Sequence, residues 1–222
     1  MTHKDIATDK AALARLGKRV TARLEANPQV WKVPSEKAQI YALADFLNPT
    51  ECERLIAMID DCATPSKVFD LDYSTGYRTS YSGDVDPHDP FIRKIGRRVD
   101  DLMGIDGECG ETIQGQRYLP GQEFQPHHDW FHPGTSYWDF EMGRGGQRSF
   151  TAMAFLNEVE AGGTTDFTDL EISIEPRPGV LLIWNNAAPD GLPNPATIHA
   201  GRPVTAGAKY IFTKWYRTRR WR

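Results

Sequence analysis

The sequence predicts an α+β protein that is mainly β, with helices first and a β core after them. Apolar residues recur at helical spacing up to about residue 104. From residue 110 onward, short runs rich in β-branched and aromatic residues are separated by Pro-Gly, Gly-Gly and Asn-Asn pairs. Such short, turn-bounded strands are typical of a sandwich, a jelly roll or a barrel. A chain of 222 residues is long enough for one well-filled core.

Three amphipathic helices and one strand are expected before the β core. The apolar spacing predicts helices over residues 9–27, from Pro49 onward and over 89–104, with a short strand around 40–46. Asn48 or Thr50 is suited to cap the second helix, and Gly104 is suited to end the third. The predicted strands of the core lie in "ETIQGQRYLPG", "QRSFTAMAFLNEV", "LEISIEPRPGVLLIWNN", "ATIHAGRPV" and "AKYIFTKWYR".

Composition and charge exclude several classes of protein. The net charge of −4 argues against nucleic acid as a partner. Three cysteines without a CxxC pair indicate neither a disulfide framework nor a cysteine zinc site. No apolar run reaches the roughly 18 residues of a membrane helix, and the N-terminus lacks the apolar stretch of a secretory signal. We therefore expect no membrane association and a cytoplasmic location.

The stretch "QPHHDWFHPG" (125–134) contains four candidate metal ligands that allow two pairings. His128 and His132 would face together on a helix, as in zinc proteases, but prolines bracket the cluster and disfavour a helix. On a strand, alternate residues share a face, so His127 and Asp129 would point together and His128 away from them. The strand arrangement is therefore favoured.

A histidine and a carboxylate on one face form two corners of the 2-His-1-carboxylate triad, which binds non-haem Fe(II) and leaves coordination positions free. The third ligand has to come from another segment. His3 lies near the N-terminus and His88 lies in a polar loop, whereas His199 enters a predicted strand. His199 is the natural candidate.

Lys209 lies ten residues beyond His199 and shares its strand face with Ile211, Thr213 and Trp215. An inward-facing ammonium is costly unless an anion meets it, and a bound dicarboxylate would supply that anion. A lysine at the sheet edge that extends into solvent is the alternative.

From about residue 45 to residue 217 the sequence resembles the prolyl 4-hydroxylase branch of the 2-oxoglutarate/Fe(II)-dependent dioxygenases. The resemblance is carried by "YRTSYS", "GETIQGQRYLPGQEFQPHHDWF", "RSFTAMAFLNEVEAGGTTDF", "IEPRPGVLLIW" and "TIHAGRPVTAGAKYIFTKWY". It implies a double-stranded β-helix core, the cupin-like jelly roll, with supporting N-terminal helices. It also implies a catalytic domain over 45–222, with residues 1–44 as a helical extension packed on it.

The resemblance implies a role for each matching residue. The iron ligands would be His127, Asp129 and His199. The pocket for 2-oxoglutarate (2OG) would include Tyr118, Thr165, Lys209 and Trp215, with Lys209 pairing with the distal carboxylate. Arg148 would face a peptide substrate, and Arg78 lies in the loop that closes over the substrate in relatives.

The implied activity is hydroxylation of a prolyl residue in a peptide or protein, coupled to conversion of 2OG to succinate and CO2. Its requirements would be Fe(II), 2OG and O2, with ascorbate as reductant. Two alternatives stay open: the same chemistry on a free amino acid or other small molecule, and a non-catalytic metal-binding β-barrel module.

The sequence departs from the family pattern at two places. Phe124 stands where relatives often carry a tyrosine that handles substrate, and residues 132–147 look like an insertion specific to this chain. The segment 68–83 has the composition of a substrate lid or of an ordinary surface loop.

Overall fold

The computed structural model describes residues 3–67 and 76–222 of the chain. Its helices are α1 (His3–Glu25), α2 (Pro49–Cys62), α3 (Pro90–Met103) and α4 (Trp138–Gly143). Its strands are β1 (Val30–Lys32), β2 (Ile40–Leu43), β3 (Thr64–Pro65), β4 (Tyr81–Asp84), β5 (Gln114–Tyr118), β6 (Phe124–His127), β7 (Arg148–Phe155), β8 (Ala161–Gly162), β9 (Thr165–Phe167), β10 (Ile172–Ile174), β11 (Leu181–Asn185), β12 (His199–Gly201), β13 (Val204–Ala206) and β14 (Lys209–Arg217).

Two antiparallel sheets form the jelly roll that the sequence predicts. The larger sheet has eight strands in the order β1-β2-β11-β7-β14-β5-β4-β3. The smaller has four in the order β10-β9-β12-β6, and β13 and β8 form a separate pair. Residues from both main sheets line one cavity, among them Tyr118 and Lys209 from the large sheet and Thr165 and His199 from the small one. The interior between the sheets is therefore the candidate site.

The two faces of the large sheet pack against different partners. On β7, Ala152 and Ala154 join the core that includes helical residues, such as Leu55 of α2. Met153 and Phe155 join a second core between the sheets. This alternation is the period-2 pattern of a strand that is buried on both faces. Helices α1, α2 and α3 therefore cover the outer face and leave the inner face to the site.

Local sequence signals determine where two of the helices begin and end. Asn48 and Glu51 form a capping box at the start of α2. The Asp89 side chain accepts hydrogen bonds from the first turn of α3, and Gly104 ends that helix in the left-handed conformation with φ 64°. Helix α1 begins at His3, earlier than the predicted residue 9.

The predicted strands are present, but short elements between them were missed. These are β1, β3, β4, β8, β9 and β13, together with α4 inside the 132–147 insertion. Strands of two to four residues carry too few positions for a period to be visible. Strand β2 lies inside the large sheet, paired with both β1 and β11. No helix within the described ranges is long and apolar enough to span a bilayer.

Gly115 allows α2 to pack closely on β5, the strand that carries Tyr118. A Cβ atom at this position would overlap the fully buried side chain of Ile59. We expect Gly115→Ala to lower the free energy of unfolding by about 1–3 kcal/mol, as overpacked cores do. Urea denaturation gives the value. Gly143→Ala is the control, because a Cβ atom there meets nothing within 4 Å; equal stability of the two variants would contradict this account.

Candidate functional site

His127, Asp129 and His199 meet at the inner end of β6 and β12. These strands pair antiparallel, with His199 directly opposite His127. Strand β6 ends at His127, so Asp129 lies in the bend that follows rather than on the strand itself. One ligand atom from each of the three residues lies within 4.8 Å of the others. The distance from His199 Nε2 to Asp129 Oδ2 is 3.7 Å.

Backbone carbonyl groups orient both imidazole rings. Nδ1 of His127 lies 2.9 Å from the carbonyl oxygen of Gln125, and Nδ1 of His199 lies 3.0 Å from that of Thr197. A carbonyl oxygen can only accept, so Nδ1 carries the proton in each ring. Each Nε2 lone pair is therefore available for a metal.

The protonation states of His127 and Asp129 suit a divalent cation. Burial and the neighbouring His199 lower the pKa of His127 to about 3. Burial raises the pKa of Asp129, but the two histidines and Arg148 outweigh it and bring the value to about 2. Neutral imidazole and ionised carboxylate are the ligating forms. A donor set of two imidazole nitrogens and one carboxylate oxygen is that of the facial triad, which would hold a non-haem Fe(II) ion.

Lys209 lies deeper in the same cavity, on β14 opposite Tyr118 of β5. Its ammonium donates to Thr165 Oγ1 at 3.2 Å and to the carbonyl oxygen of Thr164 at 3.5 Å. Lys209 is only 2% exposed to solvent. Among the residues that the structure describes, no carboxylate forms an ion pair with it. A ligand carboxylate would compensate for this buried charge.

Gln116, which the sequence analysis did not single out, lies in this cavity together with Thr213, which it placed on the same strand face as Lys209. The hydroxyl of Tyr118 donates to Gln116 Oε1 at 2.8 Å, and Gln116 Nε2 donates to Thr213 Oγ1 at 3.1 Å. Gln116 and Thr213 lie an even number of residues from Tyr118 and Lys209 on their strands. The period-2 rule, which had already placed Thr213 on the face of Lys209, could have placed Gln116 on the face of Tyr118 as well.

A larger cleft of about 790 Å³ adjoins the metal-ligand trio on the other side. The cleft and the inner cavity share Phe124, His127, Asp129 and Trp215 as lining residues. The cleft reaches the surface at Lys67 and His132, which are both exposed.

The structure places both predicted substrate arginines in this cleft. Arg148 binds both oxygens of the Glu111 carboxylate, at 2.7 and 2.8 Å, and its guanidinium stacks 4.0 Å from the centre of the Trp215 ring. Arg78 is 8% exposed and donates to Ser80 Oγ at 3.1 Å and to Gln114 Oε1 at 3.2 Å. Both guanidinium groups are therefore held in fixed orientations.

Residues from the segment 132–147, the insertion that the sequence suggests, form one wall of the cleft. Glu141 of α4 is ion-paired with Arg217 at 2.5 Å, and their side chains are 2% and 1% exposed. Arg217 also forms an ion pair with Glu111, and Glu111 in turn pairs with Arg148. The four side chains therefore form one connected series of ion pairs. Arg144 donates to the carbonyl oxygen of Arg222 at 2.8 Å, which joins α4 to the C-terminal residues.

Phe124 separates the cleft from the inner cavity. Its ring stacks on His127 with a centroid distance of 3.5 Å and an interplanar angle of 14°. The guanidinium of Arg78 lies 4.7 Å from the centre of the same ring. The ring therefore covers a candidate metal ligand with apolar surface.

The other residues of the histidine cluster lie apart from the trio. His128 Nε2 lies 3.1 Å from the carbonyl oxygen of Asn186 and 3.1 Å from Thr197 Oγ1. His132 is exposed at the cleft mouth. Of the predicted lid, residues 68–75 lie outside the described ranges, while Tyr77 and Arg78 line the cleft.

Comparisons with known proteins agree with this geometry. The 2OG-Fe(II) oxygenase superfamily matches residues 113–217. Prolyl 4-hydroxylase 1 of Arabidopsis thaliana is 34% identical over 206 residues, which cover 84% of this chain and 71% of that protein. The chain belongs to the prolyl 4-hydroxylase branch of the 2OG-Fe(II) oxygenases. It is therefore a dioxygenase that uses Fe(II), 2OG and O2.

Solved structures show the same architecture. The 2OG complex of a viral collagen prolyl hydroxylase from Paramecium Bursaria Chlorella virus-1 is 26% identical to this enzyme, with a TM-score of 0.63. The similarity covers 80% of this chain and 95% of that one. A prolyl hydroxylase from Trichoplax adhaerens shares the fold, with a TM-score of 0.62 at 14% identity over 98% of this chain and 94% of that one.

Burial of Lys209 gives the ligand-free enzyme a measurable pH dependence of stability. Burial lowers its pKa from 10.5 to about 7. Between these pH values the unfolded chain binds a proton that the folded protein lacks, so stability increases as the pH rises. We expect the free energy of unfolding to rise by roughly 2 kcal/mol from pH 7 to pH 9, relative to Lys209→Met. Urea denaturation of both proteins at both pH values is the measurement; parallel behaviour would contradict the assignment.

Proposed function

We propose that the enzyme hydroxylates a prolyl residue of a peptide or protein, with Fe(II) bound by His127, Asp129 and His199. The observation that carries the proposal is the position of the trio between two compartments. A buried, uncompensated lysine lies on one side and a large aromatic-lined cleft on the other. One compartment suits a dicarboxylate and the other suits a polypeptide.

The inner cavity has the groups that 2OG requires. Lys209 would pair with the distal carboxylate, and the hydroxyl groups of Thr165 and Tyr118 supply further hydrogen bonds there. Thr165 already contacts the ammonium, and Tyr118 lies opposite it in the strand ladder. A buried lysine paired with a carboxylate in low dielectric gives a strong and directional anchor.

When bound, iron and 2OG activate O2, and one oxygen atom enters a substrate C–H bond while 2OG becomes succinate and CO2. The protein contributes binding, orientation and exclusion of water. The paired strands β6 and β12 hold the two histidine ligands rigidly. The rings of Phe124 and Trp215, at the boundary of both compartments, keep this region apolar.

The lining of the cleft favours a proline-containing peptide. Its aromatic residues are Tyr77, Phe124, Trp130, Phe131, Tyr137, Trp215 and Trp221. Proline-rich segments adopt the polyproline II helix, and grooves lined by aromatic side chains bind that helix with little loss of conformational entropy. The viral relative named above, a collagen prolyl hydroxylase, supports the same substrate class.

We assign Arg78 and Arg148 to the substrate. Arg78 has hydroxyl and amide partners, and no carboxylate pairs with it within the described part of the chain. Its guanidinium can therefore donate to the backbone carbonyl groups of a peptide. Arg148 is fixed by Glu111 and stacked on Trp215, so it presents its remaining donors to the cleft beside the trio.

Mass spectrometry of a proline-containing peptide library tests the function. We expect a gain of one oxygen atom located on proline after incubation with Fe(II), 2OG and ascorbate, with equimolar succinate. Asp129→Ala should abolish both products, because it removes the only carboxylate of the trio. If only free amino acids are turned over, the substrate is a small molecule and not a peptide. Absence of succinate with every substrate would favour a non-catalytic metal-binding module.

Binding of 2OG should take up a proton near neutral pH. The pKa of about 7 leaves most Lys209 side chains neutral at pH 8, and a bound carboxylate restores the charged form. We expect close to one proton per 2OG at pH 8 and almost none at pH 6, measured by anaerobic titration calorimetry of the Fe(II) enzyme in buffers with different ionisation enthalpies. Lys209→Arg, which stays charged, should lose the uptake at pH 8. Uptake that persists in this variant would show that another group is responsible.

Three further properties of the protein remain predictions from the sequence. They are ascorbate as the reductant, the cytoplasmic location, and the division between an N-terminal extension over 1–44 and a catalytic domain over 45–222.

A further inference from the structure

Behind the metal-ligand trio lies a connected set of polar side chains, three buried and one half-buried, that the chemistry above does not use. It consists of Thr151 on β7, Asn186 after β11, His128 after β6 and Thr197 before β12. Thr151, Asn186 and Thr197 are fully buried, each with 0% exposure. Buried polar groups need partners, and here the partners lead to two of the three candidate ligands.

One branch of the network ends at Asp129. The hydroxyl of Thr151 donates to Asp129 Oδ2 at 2.8 Å. Asn186 Nδ2 donates to the Thr151 oxygen at 2.9 Å, which leaves the threonine proton for the carboxylate. The indole of Trp184 donates to Asn186 Oδ1 at 3.1 Å. Since an indole N–H can only donate, it determines which way the asparagine amide is turned.

The other branch ends at His199. His128 Nε2 donates to the Asn186 carbonyl oxygen and to Thr197 Oγ1, both at 3.1 Å. The Thr197 hydroxyl donates its own proton to the carbonyl oxygen of Asn194 at 2.8 Å, so it accepts from His128. The carbonyl oxygen of Thr197 in turn accepts from His199 Nδ1. Asn186 thus connects both branches.

We propose that Thr151, Asn186 and His128 are positioning residues that hold Asp129 and His199 in the geometry of the metal site. This inference rests on the ligand assignment of the proposed function. The Oδ2 atom that Thr151 binds is the one 3.7 Å from His199 Nε2, so the hydrogen bond fixes the carboxylate oxygen at the centre of the trio. Partners behind metal ligands orient them and tune affinity, typically by 10- to 100-fold.

Co(II) titration of the metal-free enzyme, followed through the visible ligand-field bands, separates positioning from mere packing. Thr151→Val keeps the shape of the side chain and removes the hydrogen bond, whereas Thr151→Ser keeps the hydroxyl. We expect the valine variant to bind Co(II) about 10- to 100-fold more weakly with shifted bands, and the serine variant to stay within about threefold of the wild type. Near-ultraviolet circular dichroism and urea denaturation show whether each variant is folded and how stable it is.

His128 provides a second, independent pair. His128→Leu removes the donor to Asn186 and Thr197, and His128→Gln keeps an N–H donor. We expect weaker Co(II) binding for leucine and recovery with glutamine. If Thr151→Val does not fold, this pair decides the question.

The Co(II) titrations distinguish failure of the ligand assignment from failure of the positioning roles. Absence of Co(II) binding by the wild type would overturn the ligand assignment and the inference together. Wild-type binding with unchanged affinity and bands in Thr151→Val and His128→Leu would overturn the inference alone. Weak binding by both members of a pair would also overturn it, because shape rather than the hydrogen bond would then be responsible.

Discussion

The pairing of β6 with β12 is the constraint on which the site depends. It places His199 opposite His127 and so brings together two candidate ligands that are 72 positions apart in the sequence. If the strand register shifted by one residue, one imidazole would point to the other face of the sheet, and the two histidines would no longer lie together. The carbonyl groups of Gln125 and Thr197 then select the tautomer of each ring. Strand register therefore determines the position of both histidines, and the backbone determines their chemistry.

Buried charge is distributed differently in the two compartments. In the cleft, Glu111 lies between Arg148 and Arg217, and Glu141 completes the set, so both of these guanidinium groups have a carboxylate partner. In the inner cavity Lys209 has only oxygen atoms of neutral groups as partners. Pairing within the protein makes the cleft wall rigid, whereas the lysine acquires a counter-charge only from a ligand. A rigid cleft wall requires buried cations that are paired within the protein, whereas binding of the cosubstrate requires a buried cation without such a pair.

Two features shape the cleft beside the trio. The segment 132–147 supplies α4, which is joined to β14 through the Glu141–Arg217 pair and lines the cleft. Phe124 is enclosed between Arg78 and His127, so its ring forms an apolar cover over a candidate ligand.

The sequence by itself determined the first three helices, the longer strands of the core and most of the polar residues that meet in the inner cavity. Local periodicity and capping encode the elements, and alternation along β14 placed Lys209 and Trp215 on the inner face. Only the tertiary structure showed that Asp129 lies in a bend, that Gln116 joins the cavity, that α4 forms a wall of the cleft and that His128 links Asn186 to Thr197. These features arise from contacts between residues distant in sequence. A local sequence pattern cannot predict such contacts, because their energies depend on which elements pack together.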